Sequence, residues 1–208
     1  MIIQLPIGLL GSNCYVIYDH DQGSGAIVDP GVQDVRALMR EVDQHQLQIE
    51  YILNTHGHFD HIVANSVLDL PDAGLAIHAG DRDLLLAGGG APMFGLPFVS
   101  SPEPTLILED GMVLAIGDLR VEVLHTPGHT PGSVCFYLPE EQGLLTGDTL
   151  FASSVGRTDL PGSSQQALER SLRRLCELPG STHIYPGHGE TTTIDRERRV
   201  NPFLRHLS

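Results

Sequence analysis

The chain has 208 residues, with 26 acidic side chains against 12 basic ones, all arginine, for a formal charge of −14. That balance argues against nucleic acid as a partner, because a phosphate-binding surface needs a basic patch. No window approaches the roughly 18 uninterrupted apolar residues of a membrane span.

With 41% apolar residues, the chain is long enough to bury a sizeable core, and no linker divides it, so a single domain over residues 1–208 is expected. Met1 to Gly11 lacks the basic n-region of a targeting segment. Cys14, Cys135 and Cys176 form no CxxC and fit buried small hydrophobes in a reducing compartment. The sequence therefore predicts a cytoplasmic protein without membrane contact, a monomer or small homo-oligomer.

In chain order, Ile2–Ile7, Cys14–Tyr18 and Ala26–Val28 are short and rich in β-branched residues, as strands are. Asp29-Pro30-Gly31 breaks the pattern. Val32 to Gln46 carries Val35, Leu38, Met39 and Val42 at helical spacing. Ile49–Leu53 is a further strand, and His61–Leu70 a helix closed by Pro71. Ala76–His78 is a short strand and Asp81–Ala87 a short helix. Gly88–Pro104, rich in Gly, Pro and Ser, is a loop of functional length.

A second set of strands follows at Met112–Ala115, Leu119–His125, Val134–Leu138 and Leu144–Thr146. Ser163–Leu178 is an amphipathic helix with Ser163 or Ser164 as N-cap. His183–Tyr185 is a last strand, and Ile194–Leu204 a terminal helix interrupted near Pro202. The halves share a rhythm, which suggests two packed sheets with helices outside, an α/β four-layer sandwich.

The chemistry concentrates in Asn54-Thr55-His56-Gly57-His58-Phe59-Asp60-His61. Imidazole and carboxylate are ligands for Zn²⁺, Fe²⁺ or Mn²⁺. Packing them together at a strand end is costly unless a metal supplies partners. Asp60 and His61 begin the next helix, so they should splay away from His56 and His58, which suits two metals better than one. His129 and His188 each stand on a Pro-Gly turn, and Asp148 follows an apolar strand. His20, His45 and His206 fit ordinary core or surface roles. His78, His125 and His183 fit structural roles or hydrogen bonds to a ligand residue. The late arginines, Arg170, Arg173, Arg174, Arg196, Arg198 and Arg199, fit solvated helix faces with i,i+4 pairs, or an anchor for an acidic small molecule.

Thr55–His61, Pro127–Ser133, Gly147-Asp148 and Pro186–Gly189 together resemble the metallo-β-lactamase-fold superfamily, over nearly the whole chain. The resemblance implies an αββα sandwich. It implies one metal on His56, His58 and His129, another on Asp60, His61 and His188, and Asp148 bridging them. Two divalent ions are implied, zinc first, with iron or manganese as alternatives. Gly156-Arg157-Thr158-Asp159 and Glu197–Pro202 resemble compact glyoxalase II-type proteins, the hydroxyacylglutathione hydrolases. The chain stops where full-length glyoxalase II continues into a helical domain.

The expected activity is hydrolysis of a small-molecule thioester such as S-lactoylglutathione. Two metals roughly 3.5–4 Å apart can share one water and lower its pKa towards neutrality, and the bridging hydroxide would attack beside the catalytic carboxylates Asp60 and Asp148. Arg157, Phe94 and Tyr185 are candidate substrate contacts. The competing readings are a mononuclear iron persulfide dioxygenase and a lactonase or other ester hydrolase of the same fold.

Overall fold

Most of the apolar runs alternate between two buried faces rather than between a core and water. In Cys14–Tyr18 all five side chains are buried. Tyr15 and Ile17 join one apolar cluster, while Cys14, Val16 and Tyr18 join another. A strand apolar on both sides must sit inside a sheet covered on both faces. The computed structural model describes residues 1–32 and 34–205. His206 lies outside the described residues, as does Gln33 within the expected first helix.

The first sheet holds β1 (Ile2–Leu5), β2 (Cys14–Tyr18), β3 (Ser24–Val28), β4 (Gln48–Leu53), β5 (Gly74–His78) and β6 (Leu106–Leu108), in that spatial order. β1 to β3 pair antiparallel, and β3 to β6 pair parallel. The second sheet uses β7 (Val113–Ile116), β8 (Leu119–His125), β9 (Val134–Leu138) and β10 (Gly143–Gly147). A small hairpin, β11 (Leu150–Phe151) and β12 (Ser154–Val155), follows. β13 (His183–Pro186) and β14 (Thr192–Thr193) complete the second sheet in the order β14-β13-β10-β9-β8-β7.

Phe136, Val121, Val123 and Leu145 of the second sheet meet Ile17, Val28 and Leu53 of the first between the layers. Helix α1 (Arg36–Gln44) covers the outer face of the first sheet through Leu38 and Val42. α2 (Phe59–Ile62) and α3 (Arg82–Leu86) lie in the first half. α4 (Gln165–Leu175) and α5 (Ile194–Val200) cover the second sheet through Leu168, Leu172 and Ile194. The result is the expected αββα sandwich. No helix among the described residues is long and apolar enough to cross a membrane.

The expected helix over His61–Leu70 is one turn, ending at Ile62. Its continuation needs the Ala64 amide to bond the Asp60 carbonyl. Instead the Ser12 hydroxyl donates to the Asp60 carbonyl at 2.6 Å, and the Ala64 amide donates to the Pro30 carbonyl at 2.9 Å. Tertiary partners have taken both ends of the bond. β6 and the β11–β12 hairpin escape the sequence reading because two or three residues carry no periodicity. The terminal helix stops at Val200, before Asn201-Pro202.

Ser164 is the N-cap of α4, its hydroxyl accepting from the Ala167 amide at 3.3 Å. Replacing Ser164 with Ala should lower stability by about 1 kcal/mol in urea unfolding. An unchanged midpoint would show that the cap contributes nothing.

Candidate metal centre

The parallel pairings aim strand ends at one edge of the sandwich, where ligands bind in open α/β sheets. Asp29 follows β3, His56 follows β4, Asp81 follows β5, Asp148 follows β10 and His188 follows β13. His129 stands in the loop between β8 and β9. All seven predicted donors meet there. The donor atoms of His56, His58 and His129 lie within 4.8 Å of one another, and so do those of Asp60, His61 and His188. Asp148 stands between the groups. Its Oδ1 is 3.4 Å from His61 Nε2, and its Oδ2 is 3.6 Å from both His129 Nε2 and His188 Nε2.

The imidazoles are oriented by partners behind them. His129 Nδ1 donates to the Arg157 carbonyl at 2.9 Å. His61 Nδ1 donates to the Asp29 carboxylate at 3.1 Å. The Thr55 hydroxyl spends its hydrogen on Asp29 at 2.6 Å, so it accepts from His56 Nδ1 at 3.1 Å. Each ring therefore carries a proton on Nδ1 and turns Nε2 inward. His58 presents the opposite nitrogen, with Nδ1 2.9 Å from His129 Nε2.

His56 Nε2, His61 Nε2 and Asp148 Oδ1 are buried without any hydrogen-bond partner. Orphaned buried polar atoms are expensive, and three lone-pair donors facing one space fit divalent cations. Burial, and then the neighbouring imidazoles, hold His56 well below the usual histidine range. Burial and then His129 bring His58 down to about 4. His61 goes the other way. Burial opposes its charge, yet Asp148, Asp60 and Asp29 push it up to about 10. Burial likewise opposes ionisation of Asp60, but His61 and His188 hold its pKa down at about 2. Positive charge is stabilised at the Asp60 side of the cluster, and neutral imidazole at the His58 side.

Gly187 is required by contact. A Cβ there would lie 2.2 Å from Asp148 Oδ1, so the Pro-Gly turn that carries His188 can pass the carboxylate only without a side chain.

The three candidate substrate contacts are scattered. Arg157 pairs its guanidinium with Asp159 at 2.6 Å and meets the site through its carbonyl. Phe94 is 46% exposed, its ring 5.5 Å from that of Phe59. Tyr185 stands edge-on to Tyr15 at 5.9 Å and packs against the core between the sheets. Among the late arginines, Arg199 makes the expected i,i+4 pair with Asp195, while Arg174 reaches Asp110. His78 and His125 stack on each other at 4.0 Å.

Three carboxylates were not singled out from the sequence. Asp29 orients His61 and Thr55, and its signal is the one that exposed Asp148, an acid directly after an apolar strand. Asp81 is fully buried. It accepts from the Gly57 amide at 2.8 Å, the Gly132 amide at 2.6 Å and the Thr130 hydroxyl at 2.6 Å. It thereby fastens the loop of His56 and His58 to the loop of His129. Glu197 is also fully buried. It accepts from the Ser153 amide at 2.7 Å and from Asn201 Nδ2 at 2.9 Å, and so holds the hairpin that leads into Arg157. Asp81, beside Arg82 and Asp83, has no local signature, and the Glu197–Pro202 motif marks Glu197 without showing that it is buried.

Two sheets between helices, with this His–Asp cluster at their shared edge, define a protein of the metallohydrolase class. The sequence profile of the metallo-beta-lactamase superfamily matches residues 7–188, and the chain belongs to that superfamily. The uncharacterized protein ML0493 of Mycobacterium leprae is 41% identical, with all of both chains covered. Hydroxyacylglutathione hydrolase GloC of Haemophilus influenzae is 35% identical over 98% of both chains. The crystal structure of BLEG-1 B3 metallo-beta-lactamase superposes with a TM-score of 0.90 at 38% identity, covering 98% of this chain and 99% of the other. TTHA1623 in a di-iron-bound form gives 0.87 at 38% identity, covering 97% and 100%.

Replacing Asp81 with Ala would strand three buried donors, each costing about 1–3 kcal/mol. A loss of about 3 kcal/mol or more is expected in urea unfolding, with a fall in divalent metal bound per chain. A loss below about 1 kcal/mol would show that the two loops hold together without it.

Proposed function

We propose that the chain is a dinuclear metallohydrolase of thioesters, acting on S-(2-hydroxyacyl)glutathione such as S-lactoylglutathione to release glutathione and a 2-hydroxy acid. The observation that carries the dinuclear reading is the position of Asp148 between two complete donor groups. His56, His58 and His129 would hold one ion, and Asp60, His61 and His188 the other, with Asp148 shared. When bound, two divalent ions supply Lewis acidity at the carbonyl and bring the pKa of water towards neutrality. The di-iron form of a relative 38% identical supports double occupancy and sets iron beside zinc as the metal.

The chain's own groups have defined tasks in this reading. Asp148, standing between the two donor groups with Oδ1 buried and free of any hydrogen bond, would be the carboxylate shared by the two ions and would offset part of their charge. Asp60 stays ionised and offsets the charge of the cluster. Asp29, Thr55 and the Arg157 carbonyl keep three imidazoles in the donor tautomer as the reaction proceeds.

Glutathione is supported by a cavity of about 600 Å³ behind Gly156 and Arg157, a size usual for small-molecule sites. Arg157, Thr158, Gln165 and Arg173 line it over an apolar floor of Leu168 and Leu172. The Arg173 guanidinium there, with Glu169 also in the lining, suits a carboxylate of an anionic carrier, while that of Arg157 is paired with Asp159. The similarity to a hydroxyacylglutathione hydrolase along 98% of the chain supports the same carrier. In this reading residues 1–208 act as one domain, a cytoplasmic monomer or small homo-oligomer, on a small molecule rather than nucleic acid or membrane.

The deciding experiment pairs metal content per chain with three assays: S-lactoylglutathione hydrolysis, oxygen uptake on glutathione persulfide, and β-lactam hydrolysis. Two metals with thioester hydrolysis are expected. One iron with oxygen uptake, or β-lactam turnover without thioester turnover, would overturn the assignment. In the same assay Asp148→Ala should lose one metal equivalent and at least about 100-fold in turnover. Retention of both metals and full activity would sink the dinuclear reading.

A further inference from the structure

Four large apolar side chains of the loop that packs against Phe59 are exposed. Met93 is 65% exposed, Phe94 46%, Leu96 40% and Phe98 60%, all within six residues of one loop. Exposed apolar surface of this concentration marks a binding face rather than ordinary surface. Leu10, 71% exposed, stands on the turn before β2. Between the loop and that turn runs a crevice of about 380 Å³, walled by Leu9, Phe59, Val63, Leu96 and Phe98. That volume lies within the range of small-molecule sites.

Both walls hang on the backbone of the donor segment. Phe59 stands between His58 and Asp60, and its amide donates to the Gly89 carbonyl at 3.0 Å. A Cβ on Gly89 would lie 2.3 Å from that amide nitrogen, and its φ is +63°. Glycine is therefore what lets the loop lie against Phe59. On the other side, the Leu9 amide donates to the Gly31 carbonyl at 2.8 Å, the Ser12 hydroxyl bonds the Asp60 carbonyl, and Ser12 bridges to His188. The far end of the loop is tied down by Asn65 Nδ2 donating to the Ser101 hydroxyl at 3.1 Å. A largely apolar trough, with Ser66 and Ser100 in its lining and no charged side chain, is thus fixed against the donor segment through Phe59.

A lactoyl group carries one methyl and would leave this trough wet. We propose that the crevice is an acyl-tail subsite, and that the preferred 2-hydroxyacyl groups carry an apolar chain or ring longer than the methyl of lactate. The inference rests on the thioester hydrolase reading and names its acyl class. The cavity behind Arg157 would take the polar carrier while the crevice takes the tail.

The test uses the metal-loaded full chain and S-lactoyl-, S-2-hydroxybutyryl-, S-2-hydroxyhexanoyl- and S-mandeloylglutathione. kcat/KM should rise about fourfold per added methylene, the fold-change equivalent to about 0.8 kcal/mol. Phe98→Ser and Leu96→Ser should flatten that series, whereas Val200→Ser, an exposed apolar site on α5, should leave its slope intact. Calorimetry with 2-hydroxyhexanoate against lactate reads the crevice without turnover, and the longer acid should bind at least tenfold tighter, an advantage Phe98→Ser removes. A flat series, with both acids bound equally, overturns the inference and leaves the hydrolase reading standing. No turnover of any thioester, with the longer acid still held through Phe98, overturns the hydrolase reading and leaves the subsite. Sedimentation showing a dimer that Phe98→Ser dissociates would assign the face to a second copy and overturn the inference.

Discussion

Three imidazole Nε2 atoms face one another because every Nδ1 behind them is already engaged. The Arg157 carbonyl takes that of His129, Asp29 takes that of His61, and the Thr55 hydroxyl takes that of His56. In a neutral imidazole, fixing one nitrogen as donor fixes the other as acceptor, and at His61 the surrounding carboxylates favour a second proton, and with it positive charge, on that other nitrogen. Acceptors facing acceptors in a buried space repel until a cation joins them. The rest of the molecule can be understood as the frame that keeps this arrangement from collapsing into ordinary hydrogen bonds.

That frame has to join two separate sheets. The first supplies His56, His58, Asp60 and His61, and the second supplies His129, Asp148 and His188. Apolar contact between the layers brings the sheets together but sets no loop geometry. Asp81 does so by accepting from both loops at once. Glu197 does the same for the hairpin carrying Arg157, whose carbonyl orients His129. The segment Glu197–Pro202, conspicuous in the sequence without an evident task, thus acts through the backbone rather than through contact with the cluster. A buried carboxylate facing several donors is a stiff strut, because each lost bond leaves a polar group with no water to replace it.

The apolar loop beside the cluster shows the complementary economy. The donors are held by buried polar bonds and the crevice by backbone anchors, so side chains of the loop can vary without disturbing the donor set. Function is placed on loops, and precision is placed in the struts beneath them.

The sequence by itself carried the candidate donors, the strand rhythm and the class of chemistry. A dense His–Asp segment, His129 and His188 on Pro-Gly turns, and Asp148 after an apolar strand are local patterns, and local patterns survive in one dimension. Tertiary structure decided what local patterns cannot hold. The helix after His61 stops at one turn because Ser12 and Pro30, far away in the chain, take its hydrogen bonds. Tyr185 packs on Tyr15 between the sheets, and Arg157 serves through its carbonyl. Asp29, Asp81 and Glu197 acquire their roles only when partners 24 to 51 residues away fold against them. A carboxylate in a sequence is a charge with no address, and burial against particular amides and imidazoles gives it one.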